Sequence, residues 1–442
     1  MKKNIKFTPV QILSFGYLII ILIGAFLLML PISSVQQTSQ NFIDAFFTST
    51  SAISTTGLIV VDTGTYYSFF GQIIILILIQ IGGIGYMAIY VIIVMLTSNK
   101  FSISSKKFLR ESISRLPNIN LIGFGKLIVI YASVIELIGT VLYFIVFIEK
   151  YSIGEALYIS VFHSISAFCT AGFSLFSDSF VLYQSNWIVN LNTNFLVISG
   201  AIGFFVIFDI LQKFKRNSPK NKFTLQSKLV ISTSFYLYAI GSILIFLIEG
   251  NKFSANILDN ILFSSFQAIS ASSTVGFNSV DIGQLTSSSL FILVILMFVG
   301  GSPGSTAGGI KTISFALLSI FSFALIKDKK NVIVFKRSIN FSNFYKSVGQ
   351  IFIGFTSVVI FTLLLTISEH TDFIKLLFEA TSAFGTVGLS TGITFNLTYL
   401  GKIYITILML IGRIGPFALG LIFLTKSNGN HFNYPEEELF IS

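Results

Sequence analysis

Long apolar runs alternate with short polar stretches from one end of the chain to the other. The runs near 8–30, 70–97, 122–148, 186–213, 228–250, 287–326, 344–367 and 398–425 are each long enough for a membrane helix, since about 20 apolar residues cross the hydrocarbon core of a bilayer. The pattern predicts eight crossings. The first run is too long for the apolar region of a signal peptide and lacks a small-x-small cleavage site, so it reads as a retained helix. Between the paired runs lie segments too short to cross, at 41–54, 154–169, 256–273 and 373–385. Each is amphipathic at helical spacing and begins at or just after an acidic residue or polar cap, which complements a helix N-terminus. These predict half-helices that enter from one face and return to it. Non-helical backbone at membrane depth survives only where protein buries it or water reaches it, so the four returns are expected to surround one aqueous cavity.

Each half-helix ends in the same octet, S-A-x-x-T-x-G-[LF]: SAISTTGL (51–58), SAFCTAGF (166–173), SASSTVGF (270–277) and SAFGTVGL (382–389). A second register follows, with Gly82, Gly200, Gly300 and Gly412 in the contexts GGIG, GAIG, GGSPG and GRIG, 24 to 28 residues beyond each octet glycine. The chain is therefore a fourfold repeat. Repeat 1 covers 1–98, repeat 2 covers 99–216, repeat 3 covers 217–330 with its second helix broken at 300–309, repeat 4 covers 331–425, and a C-terminal tail covers 426–442. The expected fold is an all-α membrane protein of four helix–pore loop–helix repeats around a central pore, with eight transmembrane helices and four re-entrant half-helices. Two crossings per repeat give all four one orientation, unlike inverted repeats.

Composition agrees. The 442 residues are 53% hydrophobic and 10% charged, against roughly 25% charged in soluble domains. Of the 28 Lys and Arg, 22 fall in Lys2–Lys6, Lys100–Lys126, Lys213–Lys228, Lys327–Lys346 and Lys426; the intervening loops, apart from the intramembrane Glu136, Asp209, Lys311 and Arg413, hold four Lys and eleven acids, among them Asp44, Asp62, Glu155, Asp178, Asp281 and Glu379. Lys/Arg excess marks the cytoplasmic side. The net charge of +10 is thus topology and not a nucleic-acid footprint, and both termini are expected in the cytoplasm of a multi-pass plasma-membrane protein. One cysteine, Cys169, and three scattered histidines, His163, His370 and His431, make no disulfide and no ligand spacing. No catalytic constellation or nucleotide-binding motif is present, so an enzyme is not expected and no cofactor is assigned to this chain.

The octet suggests its chemistry. A K⁺ ion crosses a membrane when backbone carbonyls replace its hydration shell, as four TVGYG loops do in K⁺ channels. Glycine reaches positive φ and lets successive carbonyls turn toward an axis, threonine adds an inner hydroxyl, and the half-helix C-terminus favours a cation. Small residues also let membrane helices pack closely. That accounts for the glycines of the second helices, but not for an acid-led half-helix ending in T-x-G four times. In repeat 3, VGGSPGSTAGGIKT (299–312) puts glycines and a proline inside a crossing, at about 1 and 3 kcal/mol each. It reads either as a kink or as an unwound loop below the octets. Arg413 and Glu136 are intramembrane charges; Arg413 is expected on an interior pathway, and Glu136 is assigned no role. Lys311 reads as an anchor of the loop or a snorkelling side chain. Asp62, Asp178 and Asp281 follow their glycines closely, as an acidic vestibule or as ordinary loop charges. His163 and Cys169 read as packing residues of a half-helix.

Over essentially its full length the chain resembles the ion-conducting subunit of the Ktr/Trk/HKT superfamily of K⁺ transporters. It is closer to the Ktr branch, because no extra helix pair precedes the first repeat, and its NYPEEELFIS ending is similar to a family ending. The resemblance implies K⁺ uptake through a degenerate filter of Thr55, Thr56, Gly57 and Leu58; Thr170, Ala171, Gly172 and Phe173; Thr274, Val275, Gly276 and Phe277; and Thr386, Val387, Gly388 and Leu389. Gly57, where plant Na⁺-transporting relatives have serine, implies K⁺ preference. Leu58, Phe173, Phe277 and Leu389 stand near the missing second glycine of TVGYG, which implies fewer ion sites. The family's intramembrane gate maps onto Gly300, Gly301, Ser302, Pro303, Gly304, Ser305, Thr306, Ala307, Gly308 and Gly309, with Lys311 and with Arg413 as barrier or partner of the loop carbonyls. The resemblance also implies a homodimer on a cytosolic ring of nucleotide-binding RCK subunits, with K⁺ as transported ion and Na⁺ as a possible activating or coupled ion. The basic loops would meet that ring or anionic lipid of the bilayer. A Na⁺-conducting relative and a broken-helix solute carrier are the alternatives.

Overall fold

The computed structural model describes residues 9–97, 121–214, 223–250, 252–254, 256–328 and 332–415. The basic stretch Lys2–Lys6, residues 98–120 and 215–222 of the basic loops, and the tail with its NYPEEELFIS ending lie outside them. One plan recurs four times: a long helix, a half-length helix, a turn, and a second helix. The long helices are α1 (Pro9–Met29), α4 (Leu121–Phe147), α8 (Leu225–Glu249) and α12 (Phe341–Ser368). The half-length helices are α2 (Phe42–Ile53), α5 (Ile153–Phe168), α9 (Ile257–Ser273) and α13 (Phe373–Gly385). The second helices are α3 (Phe69–Thr97), the pair α6 (Trp187–Ala201) and α7 (Phe204–Phe214), the pair α10 (Ser287–Phe298) and α11 (Thr312–Ile326), and α14 (Tyr399–Ile414). One short hairpin interrupts the helices: β1 (Ile333–Val334) pairs antiparallel with β2 (Arg337–Ser338). Phe335 and Lys336 hold positive φ at its tip, which matches the right-handed twist of a two-residue hairpin.

The half-helices are bounded at both ends by local chemistry. Asn41 and Asn256 accept the amides of Ile43 and Leu258, and Ser152 with Glu155 forms a capping box on α5; such caps are worth about 1 kcal/mol each. Asp372 precedes α13 without a side-chain cap bond. Each second helix packs on the half-helix of the next unit, α3 on α5, α6 on α9 and α10 on α13, and α14 returns to α2. The four units therefore close on themselves.

The second helices depart from the unbroken spans that their apolar runs predict. Among the described residues, three helical stretches are long and apolar enough to cross a membrane unbroken, Gly123–Phe147, Leu225–Glu249 and Phe341–Ser368, and the pair α6–α7 adds a span bent by 93°. The cause is the last glycine of each G-x-x-G context. Gly85 takes φ 79° inside α3, Gly203 takes φ 94° between α6 and α7, and Gly415 takes φ 91° after α14. Repeat 3 is thus the extreme case of an interruption that repeats 1 and 2 share, and α14 ends at the matching glycine of repeat 4. Residues 416–425 of the last run lie outside the described residues.

Candidate functional site

Each octet closes its half-helix in one way. The amide at position six donates to the serine carbonyl at position one: Thr56 to Ser51 and Ala171 to Ser166 at 2.8 Å, Val275 to Ser270 at 3.1 Å, and Val387 to Ser382 at 2.8 Å. The threonine amide at position five donates to the alanine carbonyl at position two, at 3.1 to 3.3 Å. This is a Schellman closure, whose left-handed residue is usually glycine. Here it is threonine: Thr55, Thr170, Thr274 and Thr386 stand at φ 54°, 51°, 62° and 51°. The octet glycines follow at φ 90°, 67°, 81° and 94° for Gly57, Gly172, Gly276 and Gly388. The serine side chain adds a clamp. Ser51 and Ser382 hydroxyls accept the amides of Gly57 and Gly388 at 3.0 Å, and those of Ser166 and Ser270 donate to the carbonyls of Phe173 and Phe277 at 2.7 and 2.6 Å.

The four turns meet in a ring. A Cβ built on Gly57 would run into the Ala171 carbonyl, one on Gly172 into that of Val275, one on Gly276 into that of Val387, and one on Gly388 into that of Thr56. The order 1–2–3–4–1 closes through position-six carbonyls, so no side chain other than hydrogen fits at any of the four glycines. Gly82, Gly200 and Gly412 serve a separate approach, of the second helix to the carbonyls of Ile53, Phe168 and Phe384 that end the half-helices. Leu58, Phe173, Phe277 and Leu389 are buried.

The loop 299–311 is unwound, not a kinked helix. Its stems meet in a parallel bridge of Val299 with Ile310, with the Gly300 amide donating to the Ile310 carbonyl at 2.8 Å. Its backbone completes the break in repeat 2: the Ser302 amide donates to the Ala201 carbonyl at 3.0 Å, that of Thr306 to Gly200 at 3.3 Å, and that of Phe204 to the Gly304 carbonyl at 2.9 Å. Two interrupted helices thus supply each other's missing partners, as buried backbone requires. The loop also abuts all four octet threonines. Thr55 Oγ1 lies 3.3 Å from the Thr306 carbonyl, and Thr170 Oγ1 lies 3.1 Å from Thr306 Oγ1. A Cβ on Gly308 would strike the Thr386 side chain, and one on Gly300 would come within 3.1 Å of Thr274 Cγ2.

Arg413 ties the ring to the loop. Its guanidinium donates to Thr55 Oγ1 at 2.9 Å and to the carbonyls of Thr306 and Gly82, joining repeats 4, 3 and 1. Lys311 does not snorkel; its Nζ donates to the Ala307 carbonyl at 2.6 Å and to that of Gly308 at 3.4 Å. Glu136 is held behind the ring by Gln80 Nε2, at 3.0 and 3.2 Å to its two oxygens, and Gln80 Oε1 accepts from Cys169 Sγ at 3.4 Å. Asp62 and Asp281 cap the turns after the ring through the amides of Thr65 and Gly283, each at 2.9 Å, and the Asp178 carbonyl accepts the Val181 amide. No grouping of three or more metal-ligating side chains occurs among the described residues. The left-handed threonines and the shared second-helix breaks are new relative to the sequence pattern. So are the roles of Gln267 and Glu379, which lies inside α13 and not in a loop; comparing one offset across all four octets would have shown them.

Proteins of known name match nearly the whole chain. Residues 7–433 match the family described as TrkH, cation transport protein. The Ktr system potassium uptake protein B of Bacillus subtilis is 39% identical over 99% of this chain and 98% of its own length. The potassium/sodium uptake protein NtpJ of Enterococcus hirae is 34% identical over 100% of this chain and 99% of its own. Among solved structures, the potassium transporter TrkH of Vibrio parahaemolyticus superposes with a TM-score of 0.71 at 20% identity, covering 96% of this chain and 86% of that one, a likeness of fold. With a family model matched over nearly the whole chain and full-length relatives more than 30% identical, the chain belongs to the TrkH family of cation transport proteins.

Proposed function

We propose that this chain is the ion-translocating subunit of a Ktr-type K⁺ uptake system, set in the plasma membrane with both termini cytoplasmic and its half-helices re-entrant. The observation that carries the reading is the ring of four T-x-G turns seated on a loop that touches every threonine beneath it. Four backbone carbonyls at one level can replace the water of a monovalent cation, and the half-helix C-termini turn their negative ends toward it. The loop 300–309 is the obstruction that must move for ions to pass, with Arg413 and Lys311 holding its carbonyls. Three relatives are named as parts of a Ktr system, which supports a multi-component assembly; a homodimer on a cytosolic RCK ring is the form proposed here. A second reading, in which Na⁺ is carried or coupled, is favoured by the potassium/sodium name of the Enterococcus relative.

The test is growth rescue and Rb⁺ uptake at low external K⁺ in cells lacking K⁺ uptake but supplying a Ktr-type regulatory ring. The wild type is expected to rescue growth, with Rb⁺ uptake competed by K⁺ and not by Na⁺, and a deletion within 300–309 is expected to raise leak. Membrane-inserted protein that moves no Rb⁺ removes the proposal, and equal competition by Na⁺ selects the second reading.

A further inference from the structure

Three residues before the octet serine, every half-helix carries a buried polar side chain: Thr48, His163, Gln267 and Glu379. Three of the four cross to the strand leaving the T-x-G turn. Nδ1 of His163 faces the Ile159 carbonyl at 2.8 Å, so it carries the proton; Nε2 therefore accepts, from the Ser174 hydroxyl at 3.0 Å and the Leu175 amide at 3.4 Å. Gln267 Nε2 donates to Ser279 Oγ at 3.3 Å. Glu379 receives the Ser390 hydroxyl and the Thr391 amide (3.2 Å) on Oε1, and the Thr394 hydroxyl (3.1 Å) on Oε2. Thr48 differs. It donates to the Asp44 carbonyl of its own helix at 3.0 Å and accepts from the Tyr67 hydroxyl at 3.3 Å.

The octet serines and the loop 299–311 hold the turns no further than the residue after each glycine, whereas these side chains hold the segment two to six residues beyond the glycines. We propose that this position determines specificity. His163, Gln267 and Glu379 are positioning residues that limit how far the outer ends of three turns move from the axis, and Glu379, with the most bonds to the segment beyond its turn, contributes most. Discrimination by a carbonyl ring depends on where the carbonyls stand and how many reach the ion, and releasing one turn alters both. This inference rests on the ring being the ion path.

The measurement is Rb⁺ uptake in cells, read as the ratio of half-inhibitory Na⁺ to half-inhibitory K⁺. Glu379→Ala is expected to lower that ratio about tenfold, with an unchanged amount of protein in the membrane. Glu379→Gln retains the reach, since its oxygen still accepts from Ser390 and Thr391 and its nitrogen donates to Thr394, so it should stay within about threefold of wild type. Should Glu379→Ala fail to fold, the double variant Ser390→Ala, Thr394→Val removes two of the three bonds from the loop side and is expected to move the ratio in the same direction. A wild-type ratio in either folded variant overturns the inference, as does a Gln variant that shifts as far as Ala. Absence of K⁺-competed Rb⁺ uptake in the wild type is a different result, the failure of the underlying reading.

Discussion

A β-branched residue at positive φ is costly, about 1–2 kcal/mol over the right-handed conformation, and the ring holds four, Thr55, Thr170, Thr274 and Thr386. Strain of this kind persists only where surrounding contacts over-determine it, and each turn has them in two backbone bonds and a serine clamp. Glycine at those positions would relieve the strain but remove the hydroxyls that meet Thr306 and Arg413 in repeats 1 and 2. The octet glycines lack such latitude. Gly57→Ser adds a side chain at φ 90° where the Ala171 carbonyl already stands, so the carbonyl ring must open on that side. The expected result is a loss of K⁺ over Na⁺ discrimination by about tenfold or more, worth about 1.4 kcal/mol, in competition of Rb⁺ uptake. Retained discrimination would place Gly57 off the ion path.

At the scale of elements, the loop 299–311 spends no helix bonds of its own in the middle of an apolar run. It survives because the break between α6 and α7 presents Gly200 and Ala201 carbonyls and the Phe204 amide to it. Exchange of partners keeps buried peptide groups satisfied in a medium without water, and it also makes the loop an element distinct from the helices that flank it. Gly308 is its closest approach to the ring in repeat 4, against Thr386. Gly308→Val has no room unless the loop withdraws, so basal Rb⁺ leak is expected to rise several-fold while the protein still inserts. A leak at the wild-type level, measured with equal amounts of protein in the membrane, would show that the loop does not obstruct the path.

For the whole molecule, the closing contact is between repeats 4 and 1, the most distant in sequence. There Lys402 Nζ of α14 bonds Asp44 of α2 at 2.6 Å, with the lysine side chain 12% and the carboxylate 21% exposed, and Arg413 reaches Thr55 and Gly82 from the same helix. Removing one partner of a buried pair costs about 3–5 kcal/mol, whereas a surface pair is worth about 0–1 kcal/mol; this pair lies between. Lys402→Met is expected to destabilise the protein by about 1–3 kcal/mol, read as a lower thermal midpoint in detergent, and the swap of Asp44→Lys with Lys402→Asp to recover part of it. Equal midpoints for all three proteins would remove the pair from the account of how the ring closes.

Length and spacing of apolar runs, the fourfold octet and the unwinding at 299–311 follow from sequence because each depends on local chemistry: hydrophobic length, glycine and proline cost, charge placement. The same locality shows why some features were illegible. A Schellman turn in S-A-x-x-T-x-G looks like a glycine turn until the backbone shows threonine at positive φ, since only ring closure supplies contacts to offset the strain. The positive φ at Gly85, Gly203 and Gly415 falls in apolar runs that local propensity would continue as helix, and at Gly203 it is the loop at Ser302 and Pro303 that stands against the turn. Whether Lys311 reaches lipid headgroups or the Ala307 carbonyl, and which partners Arg413 and Glu379 find, are questions about residues far apart in the chain. The chain's pattern determined what each quarter is made of; only the tertiary structure decided what the quarters do to one another, because a carbonyl and the glycine it excludes from substitution come from different repeats.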